Sequence, residues 1–83
     1  MTSQMRRSAI SIASNIAEGY GRGSLTDYKR FLRVARGSLL ELETQCLFAT
    51  ELGLLSDDRF RALEEQNHEV GRVLGGLIRS LRD

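Results

Sequence analysis

Between Tyr28 and Ala49 the apolar side chains recur at alternating spacings of four and three, through Leu32, Ala35, Leu39, Leu42 and Cys46. Residues spaced this way line one stripe of an α-helix, whereas the side chains of a strand alternate with period two and would scatter them over both faces. No proline occurs anywhere in the chain, so nothing forces a break. Ser24 and Asp27 resemble a capping box with Asp in place of the usual Glu, and Gly53 is placed to end the helix. The spacing therefore predicts one helix over residues 24–52. That is about a third of 83 residues, and a 4–3 seam of this length is made to pack against other helices lying nearly parallel or antiparallel to it.

The flanking segments supply those partners. Met5, Ala9, Ile12 and Ile16 make a stripe, widened by Ile10, Ala13 and Ala17, which predicts a helix over residues 3–18 stopped by Gly19, Gly21 and Gly23. A third helix starts after Ser56 as N-cap, with Asp57 and Asp58 favourable in its first turn and a seam of Phe60, Leu63, Asn67, Val70, Leu74, Leu77 and Leu81. No strand signal competes, and the connections are short. The fold class expected is all-α, an antiparallel up-and-down helical bundle of three helices in one domain over residues 1–83.

At 9.3 kDa such a domain has little core, which makes association between subunits an expectation from the start. No apolar run approaches the roughly 18 residues of a membrane span, there is no charged-then-apolar leader, and one cysteine cannot form an internal disulfide. A cytoplasmic protein without a membrane partner is the expectation. The net charge of +1 conceals +5 over residues 1–36 and −4 over the rest. Within the basic part, Lys29, Arg33 and Arg36 fall at i, i+4 and i+7, with Arg30 beside them and Arg22 in the preceding turn, a stripe of cations suited to phosphates. The bland alternative is a solvated helix face, since no aromatic residues interleave in the sequence for base stacking. Sequence-specific reading of bases is not expected.

Other residues are assigned structural work. Arg6 and Arg7 are expected to form an ion-pair network with Glu18, Glu41 and Glu43 at a helix junction. At 1.5 Å per residue the second helix would reach about 43 Å and the first about 24 Å, so the first cannot cover the second. Over the far half the outward side turns apolar at Leu40, Leu47, Phe48 and Leu54, which calls for cover by another subunit or by a helix missing from the chain. Gly71 and Gly75, one turn apart, are expected on a contact surface between subunits, and Asn67 is expected to fix register. Cys46 on the seam and the single histidine, His68, on a helix flank leave little for catalysis. No catalytic residue, no metal site and no cofactor are expected.

Several stretches carry a family likeness: Gln4-x-Arg6-Arg7-Ser8, then Ser11-Ile12-x-Ser14-Asn15-Ile16-Ala17-Glu18-Gly19 with Gly21-Arg22, then Arg30-Phe31-Leu32-x-x-Ala35-Arg36-Gly37-Ser38-Leu39-x-Glu41-Leu42-Glu43, and an ending at Leu74, Leu77 and Ile78. Over essentially its whole length the chain resembles the 23S rRNA-intervening sequence proteins, also called four helix bundle proteins. The resemblance implies an up-and-down bundle assembling into a homopentameric ring, with no known catalytic residue. Its relatives include the accessory protein of diversity-generating retroelements, a basic pentamer that binds nucleic acid, RNA or DNA, and partners a reverse transcriptase. Members usually carry a further helix before the Gln-x-Arg-Arg segment, so the expected domain lacks the family's first helix. Ala13 stands where many members have proline, which favours an unkinked first helix. The expected function is that of a non-enzymatic, ring-forming accessory protein binding RNA through Arg22, Lys29, Arg30, Arg33 and Arg36. The alternative is a protein-interaction scaffold that uses the apolar half of the second helix.

Overall fold

A computed structural model describes residues 3–81 and shows three helices, α1 (Ser3–Gly21), α2 (Leu25–Glu51) and α3 (Asp57–Ser80), with no strand among the described residues. The all-α assignment holds. Local chemistry sets most of the boundaries. The Ser24 side chain accepts from the Asp27 amide at 3.1 Å and the Ser56 side chain from the Arg59 amide at 3.2 Å, each satisfying a donor that the helix start leaves unpaired. At the end of α2, Leu54 N–H donates to Ala49 C=O and Gly53 N–H to Thr50 C=O. Those two bonds make a Schellman motif, and Gly53 takes the left-handed conformation it requires, with φ +76°.

The expected stop of the first helix is too early. Helix α1 continues through Gly19 to Gly21, and the turn falls at Gly23, again with φ +76°. Gly19 is buried because α2 lies against it: a Cβ there would sit 2.6 Å from Phe31 Cβ and 3.2 Å from a Tyr28 ring carbon. Its missing side chain is thus a packing feature of the helix and not a terminator.

Helix α2 is the common partner. Both α1 and α3 run antiparallel to it and pack on it; their backbones do not approach each other closely, though their apolar side chains join one core. The described chain measures 45 × 21 × 13 Å. The core lies between the three helices and holds Leu32, Ala35, Leu39, Leu42, Cys46 and Ala49 of α2 with Met5 and Ile12 of α1 and Leu74 and Ile78 of α3. On α3 it is Ile78, not Leu77, that goes fully inside, and Val70 stays more than one-third exposed. Ile10, Ala13 and Ala17 of α1, expected to widen the stripe, are exposed.

The α1–α2 contact has a polar flank. Ser8 donates to Gln45 Oε1 at 3.0 Å, the hydroxyls of Ser11 and Ser38 share a bond of 2.9 Å, and Asn15 Nδ2 donates back to the Ser11 carbonyl and hydroxyl. Small side chains at 8, 11 and 38 let the two helices approach, and these directional bonds set their register. With 19 and 27 residues, α1 and α2 are about 28 and 40 Å long. The first turn of α1 reaches further along α2 than the expected length allowed: Gln4 lines a groove with Gln45, Phe48 and Ala49.

Gly19→Ala is expected to lower stability by about 1–3 kcal/mol, because the added methyl must displace Phe31 at its Cβ. Gly21→Ala, where a Cβ meets nothing within 4 Å, should leave stability unchanged or slightly raised. Urea unfolding followed by far-ultraviolet circular dichroism compares the two, and equal effects would remove the packing role from Gly19.

Candidate nucleic-acid interface

Because α1 and α3 cover only part of the surface of α2, one side of it stays open along its length. Cap chemistry at Ser24 fixes where α2 starts, and 100° per residue then decides what that side carries. Its first half presents Lys29, Arg33 and Arg36, with Arg30 alongside. Its second presents Leu40, Thr44 and Leu47, with Phe48 alongside. All of these but Lys29 are exposed.

The five cations are not equivalent. Arg22 pairs with Glu18 at 3.1 Å and its guanidinium carbon lies 5.2 Å from the Phe31 ring centre; Arg30 pairs with Asp27 at 3.7 Å and lies 4.6 Å from the same centre. These exposed pairs contribute little stability, but with the ring they hold both guanidinium groups in place. Arg33 and Arg36 make no ion pair among the described residues, while Lys29 is half-buried and engaged within the chain. The open positive charge of the face is therefore centred on Arg33 and Arg36.

Beyond Arg36 the surface is apolar. Leu40 is 59% exposed, Phe48 62% and Leu54 69%. Leu40, Thr44 and Phe48 line one groove of about 420 Å³ with Glu41 and Gln45. A second, of about 230 Å³, continues past Phe48 to Leu52 and Leu54. Leu52, 72% exposed, belongs to this surface and was not singled out from the sequence, being read as the helix terminus. The first groove lies on the exposed side of α2, and the second runs on to the start of α1, where Gln4 and the core residue Ala49 border it.

Two further expectations are corrected. No ion-pair network joins Arg6 and Arg7 to Glu18, Glu41 and Glu43: Glu18 is taken by Arg22, and Arg6, Arg7, Glu41 and Glu43 make no ion pair among the described residues. Glu18 lies more than three turns along α1 from either arginine, too far for one side chain to bridge. Arg7 and Glu41 instead border a polar groove of about 330 Å³ with Gln4, Ser8, Ser11, Ser38 and Gln45. Gly71 faces α2 of its own chain, where a Cβ would lie 3.3 Å from Leu39 Cδ2, and Gly75 is overlaid by the Arg79 side chain of its own helix. Gly71 thus serves packing within the chain, and neither glycine presents the open contact surface expected.

These features define the protein as an antiparallel helical-bundle protein whose central helix carries a basic and an apolar half on one open side. A sequence model of the 23S rRNA-intervening sequence proteins matches residues 1–76 of the 83, and the chain belongs to that family. The resemblance seen in the sequence is thereby confirmed. Comparison with curated proteins finds no match.

The thiol and imidazole have different surroundings. Cys46 is 2% exposed, and Asn67 Nδ2 approaches its sulfur at 4.0 Å. Burial pushes the thiol pKa up, the Asn67 contact lowers it, and the Glu43 charge adds to the rise. His68 is exposed on the neighbouring position of α3. Asn67, expected to fix register, is itself buried, and with Glu43, Cys46, Phe60 and Glu64 it lines a pocket of only about 30 Å³. No group of three or more metal-binding side chains gathers among the described residues.

A raised thiol pKa means that the folded chain keeps its proton where the unfolded chain has lost it. The stabilisation is complete below the ordinary thiol pKa of about 8.5 and is lost as pH rises through the folded value. The stability difference between wild type and Cys46→Ala should therefore shift against wild type from neutral to strongly alkaline pH. A difference constant with pH would contradict this.

Proposed function

We propose that this chain is a non-enzymatic, homo-oligomeric bundle of the cytoplasm that binds RNA without sequence preference through Arg22, Lys29, Arg30, Arg33 and Arg36. The observation that carries this reading is the exposure of Arg33 and Arg36 on the open side of α2 with no acidic partner among the described residues, in the part of the chain with charge +5. Cations lacking a partner within the chain are available to release counterions from a polyanion. The name of the family refers to an intervening sequence of 23S rRNA, which supports RNA as the polyanion to test first. Self-association is assigned to Leu40, Leu47, Phe48 and Leu54, extended by Leu52, because apolar grooves this exposed on a 9.3 kDa chain favour a partner surface. The family resemblance suggests a ring of five and a reverse-transcriptase-like protein as a further partner.

The scaffold reading rests on the same grooves and gives them to a foreign protein, with the basic half left as a solvated face. Salt dependence separates the two. The double variant Arg33→Gln, Arg36→Gln should reduce the slope of log affinity for single-stranded RNA against log salt by about 1.4 per chain engaged. A slope equal to that of wild type would remove the basic half from function and leave the scaffold reading.

A further inference from the structure

Three of the five aromatic residues of this chain, Tyr20, Tyr28 and Phe31, come together where α1 turns into α2, at the basic end. They are eight and three positions apart in sequence, and it is Gly19 that allows the meeting, since any Cβ there would strike Phe31 and crowd Tyr28. Tyr20 as a residue is 75% exposed, yet its ring is held edge-to-face against Tyr28, with centres 5.8 Å apart and planes at 79°. At the same turn Phe31 carries the guanidinium groups of Arg22 and Arg30. An open ring with a fixed orientation thus shares one end of the molecule with two positioned cations, and Arg33 and Arg36 continue from it along α2.

We propose that this turn is a docking point for an unpaired nucleotide, with a base stacked on Tyr20 and the adjoining phosphates at Arg22 and Arg30, so that the protein prefers single strands to duplex. The proposal rests on the nucleic-acid reading above and names the class of ligand. Cations alone follow the phosphates of either form, but an exposed ring offers stacking only to a base that has left its pair. The existing contacts of Tyr20, Arg22 and Arg30 reduce the ordering that binding must supply. Glu18 and Asp27 lower the net charge at the turn, and the unpaired Arg33 and Arg36 restore the attraction next to it.

The test compares a labelled oligouridine strand with an RNA duplex of equal length, by fluorescence anisotropy at one salt concentration, for wild type, Tyr20→Ala and Tyr20→Phe. Wild type should bind the single strand more tightly. Tyr20→Ala should weaken that binding at least about fivefold, the low end for one stacked base, and change duplex binding by less than about twofold. Tyr20→Phe should keep the wild-type affinity. Because Tyr20 is largely exposed, both variants should retain the wild-type helical spectrum. The chain has no tryptophan, so Tyr20→Trp adds a single tryptophan whose fluorescence, excited apart from tyrosine, should be quenched by the single strand and not by the duplex. If Tyr20→Ala leaves single-strand affinity unchanged, or weakens both forms equally, the docking point is overturned while RNA binding stands. If wild type binds neither form, both readings fall together.

Discussion

One stripe on α2, from Leu32 to Ala49, holds both other helices. Leu32 and Ala35 have no exposed surface at all, and a substitution there would loosen α1 and α3 at once. The 4–3 spacing makes the stripe broad enough to receive two neighbours, but not to wrap the helix. A side of α2 is consequently left open from end to end, and it is on that side that the chain carries its most distinctive chemistry.

The open side changes character near its middle. Arg30, Arg33 and Arg36 are solvated and stable as they stand, whereas Leu40, Leu47, Phe48, Leu52 and Leu54 keep between 49% and 72% of their surface in water. Removing such surface from water is favourable by roughly 25 cal/mol per Å², so a partner that covers these residues gains far more than the exposed ion pairs contribute. The polarity change and the fold are coupled: α3 covers α2 near Leu39 and Cys46, α1 covers it near Phe31, Ser38 and Gln45, and neither reaches Leu40 or Leu47. Association through the apolar half would leave the cations of the other half at the edge of the assembled surface.

What could be read from the sequence was whatever depends on local chemistry. Ser24, Gly53 and Ser56 marked boundaries because caps and left-handed turns act over three or four residues, and the α2 seam was visible because its period is regular. Gly19 was misread because a glycine that ends a helix and one that admits a neighbouring helix look the same until the neighbour is placed, and Gly71 because spacing does not say whether the helix it admits belongs to the same chain. The supposed network around Arg6 and Arg7 failed because charge balance gives no distance, and Glu18 had a nearer partner in Arg22. The cluster of Tyr20, Tyr28 and Phe31 was hidden because it depends on two helices meeting at a close approach. Its one sequence sign was the glycine just before Tyr20.

Light scattering on the wild-type chain and on Leu47→Asp, Phe48→Asp tests most directly whether the two halves of α2 divide their work. The result expected is a wild-type particle several times the 9.3 kDa of one chain, dissociating in the double variant while its helices stay formed. A wild-type particle of 9.3 kDa across the micromolar range would contradict the division and leave the apolar half without its proposed role.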